Sequence, residues 1–274
     1  GKTYSIKYTR RFLAMEYPNL PVFSVKSHKK KISSESAFFT NLLTAVKHKH
    51  PESGTISAKR NRLNNFLCEK ASRSDEDLVI FFVDEAQRFG IVEYEWLRDV
   101  HDELDLHGIR MMTFLVGQYE LLNQKHALRE SDQVQIVMRF MVNELQFRGI
   151  MSQEELATCL QGYDESTFPE NSDWSYTRFF FPLAYANGFR MLQQTQNLWG
   201  QFEKVYDKAC FGRKIEIPMQ YVAQTVELFM LENTEHDTAK FRGTKTLWKQ
   251  AIEESNYIDA QEELRLIFEK IDLE

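Results

Sequence analysis

The stretch that decides the fold is Leu78-Val79-Ile80-Phe81-Phe82-Val83-Asp84-Glu85-Ala86-Gln87. Six apolar residues, most of them β-branched or aromatic, run without a polar break and are followed by two carboxylates. A run this short is typical of a strand that is buried on both faces in a parallel sheet. Asp84 and Glu85 then lie at the carboxyl end of that strand, the edge where open α/β sheets bind ligands. The sequence predicts a metal site or a cleft there; the alternative is a core strand that ends in a solvated acidic turn.

The chain starts with the residues of a phosphate-binding loop, Gly1-Lys2-Thr3. An amphipathic helix that ends near Pro18 and a strand over 21–25 are predicted to follow. In such a loop the backbone N–H groups hold phosphate oxygens, the Lys ammonium reaches the outer phosphates and the Thr hydroxyl binds Mg²⁺. The helix carries apolar residues at helical spacing, namely Tyr4, Tyr8, Phe12 and Met15. We expect the glycine-rich half of the motif and the first strand to precede Gly1.

The composition indicates a globular protein with a strongly uneven charge distribution. The chain has 274 residues, of which 43% are hydrophobic and 27% charged, and no apolar run reaches the length of a membrane span. Its three widely spaced cysteines favour a reducing compartment over a disulfide framework. Residues 1–73 carry a net charge of +11 and the remainder a net charge of -17. This asymmetry indicates a polyanion partner, or else mutual neutralisation between the two parts.

Two basic clusters fall between the first two predicted strands, where predicted helices start near Ser34 and Ala58. Their members are Lys29, Lys30, Lys31, Lys59, Arg60 and Arg62. Cations grouped in this way are suited to contacting a phosphate backbone without reading its sequence. The alternative is a solvated basic face. The run around His101 and His107 resembles metal ligands in type, but its six-residue spacing predicts a solvated surface rather than a zinc site.

Further elements complete a predicted α/β domain that ends near residue 150. Ile109–Val116 is a predicted strand, so Gln118 just after it is expected beside Asp84 and Glu85, although a simple turn residue is the alternative. Residues 119–138 are predicted to be helical, and Met141–Phe147 is predicted to be a last strand. The remainder, 151–274, is predicted to be helical. Its final segment, 255–274, is expected to dock on this helical part or on a partner.

The order of these motifs resembles that of the AAA+ ATPases, and within them the transposition regulators TnsC and TniB. The resemblance covers residues 1–150 well and 151–230 loosely; the Asp-Glu-Ala-Gln strand is its most specific part. It implies an AAA+ P-loop parallel sheet flanked by helices (1–150), followed by a helical lid and C-terminal helices (151–274). It also implies an ATP-dependent homo-oligomer, a ring or a helical filament, that wraps double-stranded DNA and links target-selection proteins to a transposase in the bacterial cytoplasm, with no membrane partner.

The resemblance also implies roles for single residues. Gly1 and Lys2 would contact ATP, and Thr3 and Asp84 would hold Mg²⁺. Glu85 would polarise the attacking water. Among the remaining candidates, Gln118 stands at the first sensor position, where Asn, Thr or Ser is commoner. Arg139, before the predicted last strand, resembles the finger offered to a neighbouring subunit, and Arg190 resembles the second sensor or is a surface arginine.

Other protein classes remain open on the sequence alone. Another AAA+ machine, of the replication-loader or secretion-associated type, shares the nucleotide motifs, but a secretion ATPase has no need of the basic 26–73 segment. A scaffold that binds nucleotide without hydrolysing it is disfavoured, because both Asp84 and Glu85 are present.

Overall fold

A computed structural model describes residues 1–74, 76–169, 171–209 and 214–263. The chain divides into two compact units, Gly1–Gln146 and Phe147–Glu274. Of the final predicted segment, 255–274, residues 255–263 are described, whereas Leu264, Ile267 and Phe268 lie outside the described residues. Within the described residues, no helix is long and apolar enough to cross a membrane.

The first unit is built on a parallel sheet with the order β1-β2-β3. Its strands are β1 (Val22–Lys26), β2 (Leu78–Asp84) and β3 (Arg110–Val116). The central strand, β2, is buried from Val79 to Asp84, as its uninterrupted apolar run predicts. Asp84 is in register with Lys26 of β1 and Val116 of β3, so the carboxyl ends of the three strands lie at one edge. The predicted α/β architecture is therefore confirmed.

Helices cover both faces of this sheet. They are α1 (Lys2–Glu16), α2 (Glu35–Ala45), α3 (Ile56–Ala71), α4 (Ile91–Leu106), α5 (Glu120–Glu130) and α6 (Val134–Phe140). Ser34 and Thr55 start α2 and α3 by accepting a hydrogen bond from the backbone N–H three residues on. The main core lies between the sheet and α2, α3 and α4, and includes Phe39, Leu63 and Leu97.

Helix α1 packs on the opposite face of the sheet, where Ile6 contacts Ile80 and Phe82. Its apolar stripe points away from that contact. The exposed fractions are 74% for Tyr4, 72% for Tyr8, 50% for Phe12 and 78% for Met15. Residue spacing thus predicted the helix correctly, but the buried contact is made by a different face.

The prediction of a last strand over Met141–Phe147 is wrong. These residues form a bend and an irregular segment, and they pair with none of the three described strands. Met141 is buried in the core, whereas Leu145 is 94% exposed, so apolar residues here do not share one buried face. The predicted helix over 119–138 is also split: α5 ends at Glu130, and Asp132, with φ of 57°, separates it from α6.

The second unit is helical. Its helices are α7 (Gln153–Glu165), α8 (Tyr176–Phe180), α9 (Pro182–Ala186), α10 (Thr195–Ala209), α11 (Met219–Asn233) and α12 (Lys245–Glu254). They enclose a core of their own, in which the rings of Phe229 and Trp248 stack with centroids 3.7 Å apart. The side chain of Asp164 fixes the chain between α9 and α10 by accepting from the backbone N–H groups of Met191 and Leu192, each at 2.9 Å.

Candidate active site

Thr3 and Asp84 meet at the carboxyl edge of the sheet. The Thr3 hydroxyl donates to Asp84 Oδ2 at 2.9 Å, although the two residues are 81 positions apart in the chain. Thr3 lies in the first turn of α1, and Asp84 is the last residue of β2 and only 7% exposed. The first N–H groups of a helix have no partner within it, so this end of α1 favours anions such as phosphate. The fold thus brings a helix start that favours anions against a buried carboxylate.

Glu85 directly follows the strand and has a left-handed backbone, with φ of 59° and ψ of 40°. This conformation costs energy for a residue with a Cβ and is concentrated at functional sites. The carboxylate of Glu85 accepts a hydrogen bond from Gln87 Nε2 at 2.9 Å and is ion-paired with Arg88 at 3.3 Å. A single turn, Ala86–Arg88, thereby holds the side chain at the carboxyl edge of the sheet.

The end of β3 reaches the same turn. The backbone N–H of Gln118 donates to Gln87 Oε1 at 3.3 Å. The Gln118 residue is exposed. The structure thus brings Gln118 close to the Glu85 turn. The described contact is made by the Gln118 backbone N–H and the Gln87 side chain.

Arg139 lies elsewhere in the first unit. It is in the last turn of α6 and is ion-paired with Asp102, near the C-terminal end of α4, whereas Glu85 precedes the N-terminal end of that helix. Arg190 belongs to the second unit, where its guanidinium lies 3.5 Å from the centroid of the Tyr185 ring and donates to the Tyr185 carbonyl.

The first basic cluster occupies the loop between β1 and α2. Lys29 and Lys31 are exposed, whereas Lys30 is ion-paired with Glu93 at 3.3 Å. Glu93 is 1% exposed; it also accepts from the Ser33 hydroxyl at 2.7 Å and from the Gly90 N–H at 2.9 Å. Burial raises the pKa of Glu93, but these two hydrogen bonds and the Lys30 charge outweigh it, so the pKa lies below its usual value. Glu93 therefore fastens the loop to the start of α4.

The second basic cluster is not a free cationic surface, and the burial of Lys59 argues against the DNA contact predicted for it. Lys59 is 5% exposed, and its Nζ donates to Ser36 Oγ and Thr40 Oγ1, both at 2.9 Å. A phosphate could reach this ammonium only if α2 and α3 separated. The other two cations also have partners: Arg60 pairs with Glu35 at 2.6 Å and Asp99 at 3.1 Å, and Arg62 donates to the His50 and Ser53 carbonyls.

The sequence predicted a solvated position for His101, and the structure instead places its ring against other side chains. Its Nε2 is 2.9 Å from the Thr113 hydroxyl, and its ring packs edge-on against Phe140. Burial, with a further contribution from the charge of Arg139, lowers the pKa of His101 to about 4, against an opposing effect of Asp102. Among the described residues, no group of three or more His, Cys, Asp or Glu could hold a metal ion.

The donor set at the sheet edge nevertheless fits Mg²⁺. Magnesium takes oxygen ligands and is commonly held by one or two carboxylates together with substrate phosphates. The Thr3 hydroxyl and the Asp84 carboxylate supply two such oxygens side by side, next to the anion-favouring start of α1. These residues would hold the ion when nucleotide is bound.

Several residues of this region were not identified from the sequence. Gln87 was included only as the end of a motif, and Glu93 was not included, although the Gly90-x-x-Glu93 spacing of a helix start was an available signal. Ser27 was missed as well. Its N–H donates to the Asp84 carbonyl at 2.8 Å, and its buried hydroxyl has no hydrogen-bond partner within the described part of the chain.

Comparison with known proteins agrees with this geometry. No curated protein matches the chain. Residues 1–124 match a family model described as an AAA domain. That region contains Gly1-Lys2-Thr3, all three strands, Asp84, Glu85 and Gln118. Over residues 1–124 the chain is therefore similar to AAA domains.

Proposed function

We propose that the protein is an ATP-dependent, DNA-binding regulator of DNA transposition that oligomerises on duplex DNA. The observation that carries the ATPase part is the contact between Thr3 and Asp84, with Glu85 directly beside them. A hydroxyl and a buried carboxylate at a helix start are what Mg-nucleotide requires, and a second carboxylate at the strand end is placed to act on water.

Each residue of this site has a distinct task. Lys2 and the first N–H groups of α1 bind phosphate oxygens, and Thr3 and Asp84 hold Mg²⁺, which offsets charge on the phosphates when it is bound. Glu85 orients and polarises the attacking water. Because phosphoryl transfer depends mainly on positioning and electrostatics, removal of Glu85 should affect the rate far more than the binding of nucleotide.

The loop between β1 and α2 supports the DNA-binding part. Its first residue, Ser27, bonds to the backbone of Asp84, and Glu93 ties its far end to α4, the helix that follows the Glu85 turn. The exposed cations Lys29 and Lys31 thus sit on a loop anchored at both ends to elements of the nucleotide site. This connection provides a route by which bound nucleotide alters DNA contact. The link to transposition, with a transposase and target-selection proteins as partners, rests on the resemblance of the motif order.

The test measures ATP hydrolysis and duplex binding on the same preparations. Wild-type protein should hydrolyse ATP with Mg²⁺, and Glu85→Gln should keep nucleotide binding but lose most of the rate. The Lys29→Ala/Lys31→Ala variant should bind ATP normally and duplex DNA more weakly at every sequence, with a flatter dependence on salt. A charge-matched control, Lys240→Ala/Lys245→Ala, removes two exposed lysines of the second unit and should bind DNA like the parent.

Two outcomes would contradict the proposal. Normal hydrolysis by Glu85→Gln would remove Glu85 from the reaction. Equal loss of DNA affinity in the control variant would mean that overall charge, and not this loop, decides binding. To test the transposition part, the protein should be mixed with a transposase whose gene is found beside its own. Absence of such a gene, or of an ATP-dependent complex on DNA, would favour a different AAA-type machine.

A further inference from the structure

Gln87 joins the candidate water-polarising residue to the neighbouring strand. Its carboxamide donates through Nε2 to Glu85 Oε2 at 2.9 Å and accepts through Oε1 from the Gln118 N–H at 3.3 Å. A side-chain amide offers a donor and an acceptor on one planar group. One side chain therefore bridges the end of β2 to the end of β3.

Gly117 makes room for this bridge. A Cβ placed at residue 117 would lie 2.6 Å from Gln87 Oε1 and 3.2 Å from the Leu121 side chain. The first distance is shorter than any normal contact, so a side chain at this position would displace the carboxamide. The close approach of the Gln87 amide to the β3 end thus depends on the absence of a side chain at residue 117.

The ion pair with Arg88 does not fix Glu85 in the same way. The Arg88 side chain is 37% exposed, and an ion pair at that exposure is screened by solvent and weakly directional. The amide contact is short and directional, and Glu85 itself sits on a backbone of sparsely populated conformation. Orientation of the carboxylate therefore depends mainly on Gln87.

We propose that Gln87 is a positioning residue for ATP hydrolysis, which holds the Glu85 carboxylate in its working orientation and ties that orientation to the end of β3. The inference rests on the proposed ATPase function. Gln87 touches neither nucleotide nor water in this role; it acts through Glu85. Movement of the β3 end, at Gly117 and Gln118, would then change the hydrolysis rate.

The test separates the rate from nucleotide affinity in two variants. Gln87→Ala removes the bridge, and kcat should fall about tenfold, the effect of one orienting hydrogen bond, while the Kd for ATP changes less than twofold. Gln87→Glu keeps an acceptor for the Gln118 N–H but sets a second carboxylate against Glu85, so kcat should fall further. If Gln87 merely braced the β3 end, Gln87→Glu would retain the parental kcat, and that result would overturn the inference.

Gly117→Ala provides an independent check. It should lower kcat in the parent, because the added Cβ displaces the Gln87 amide, and it should have no further effect in the Gln87→Ala background. Additive losses would mean that residue 117 acts by another route and would contradict the bridge. Gln161→Glu is the matched control: Gln161 Nε2 donates to Glu165 at 2.6 Å on the exposed side of α7, so the same change there should leave kcat unaltered.

Glu85→Gln, measured in parallel, distinguishes the two possible failures. If Glu85→Gln hydrolyses at the parental rate, the proposed function fails and Gln87 loses its role with it. If Glu85→Gln is inactive while both Gln87 variants keep the parental kcat, only the inference about Gln87 is overturned. Circular dichroism melting curves establish that each variant is folded. If a Gln87 variant is not folded, the kcat of Gly117→Ala decides the inference, and a parental kcat there would overturn it.

Discussion

Arg139 of α6 is ion-paired with Asp102 of α4 within the same chain. The side chains are 38% and 52% exposed, so the pair lies at the surface and is open to competition from another anion. If Arg139 acts on the nucleotide of a neighbouring subunit, it must first leave Asp102. Asp102 then sets a small energetic barrier to assembly of the shared site.

We expect Asp102→Asn to release Arg139 and lower the protein concentration at which the ATPase rate rises cooperatively. An exposed ion pair is worth about 0.2–1 kcal/mol, which corresponds to a shift of up to about fivefold. Arg139→Ala should abolish the cooperative rise while leaving thermal stability within a few degrees. The measurement is the ATPase rate per subunit against protein concentration.

Removal of one charge from another exposed ion pair tests whether the effect on assembly is specific to Asp102 and Arg139. Glu253→Gln breaks the exposed Lys249–Glu253 pair of α12 and should leave the concentration dependence unchanged. A rate per subunit that stays constant for the parent across the range where it assembles would contradict a role for Arg139 in trans.

His101 makes the stability of the first unit depend on pH. Its pKa is lowered to about 4, mainly by burial, from an ordinary value of 6.5. Between these values the unfolded chain binds a proton that the folded chain does not, so folding stability falls as the pH drops from about 6.5 to 4. The contribution of neutral His101 to the folding stability is therefore fully present above pH 6.5.

We expect His101→Gln, which retains a polar group for Thr113, to reduce this loss by roughly 2–3 kcal/mol over that pH range. The measurement is the urea-unfolding free energy at pH 7 and pH 4.5 for parent and variant. His107→Gln is the control, since His107 lies at the surface with a 58% exposed side chain. Parallel pH profiles for parent and His101→Gln would show that His101 is not the group responsible.

Local sequence was sufficient to predict the central part of the fold. The uninterrupted apolar run of β2 predicts that this strand is buried, and the carboxylates at its end then lie at the carboxyl edge of the sheet. The same holds for α2, whose Ser34 cap and apolar spacing are contained within a few residues. Thr3 and Asp84 could be paired because each belongs to a motif with a known place relative to a strand or helix.

Features that depend on distant partners were not predictable in this way. Met141–Phe147 has the composition of a strand, but a strand requires a neighbour to receive its hydrogen bonds, and the pattern contains no information about one. Lys59 lies within a basic run, yet its burial is decided by hydroxyls on α2, 19 and 23 residues earlier. A count of charged residues cannot distinguish the buried ammonium of Lys59 from exposed ammonium groups.

Substitutions at Lys59 should separate folding from DNA binding. Its ammonium is buried against two hydroxyls, and its stem fills space between α2 and α3. Lys59→Met keeps the stem and removes the buried charge, so we expect a change in unfolding free energy of less than about 1.5 kcal/mol. Lys59→Ala leaves a cavity and should cost roughly 2–3 kcal/mol. Lys59→Met should bind duplex DNA like the parent, and a large loss of affinity in that folded variant would restore Lys59 to the DNA contact surface.

Glu93 is the buried carboxylate that fastens the basic loop. It accepts from Ser33, Lys30 and the Gly90 N–H, so it supports the loop and the start of α4 together. Glu93→Gln keeps the volume but leaves Lys30 without its counter-charge, and breaking such a buried contact should destabilise the first unit by about 1–3 kcal/mol. The loop should then be held less firmly, and ATP should enhance DNA binding less than in the parent.

The measurement compares duplex affinity with and without ATP for the parent, Glu93→Gln and Glu95→Gln. Glu95 is the matched control, because it lies two residues further along α4 and pairs only with Arg98 three residues on, at 2.5 Å, among the described contacts. The enhancement by ATP should shrink for Glu93→Gln and persist for Glu95→Gln, at a temperature where all three proteins are folded. An undiminished enhancement in Glu93→Gln would contradict a role for Glu93 in coupling the loop to the nucleotide site and would leave the Ser27–Asp84 contact as a route for that coupling.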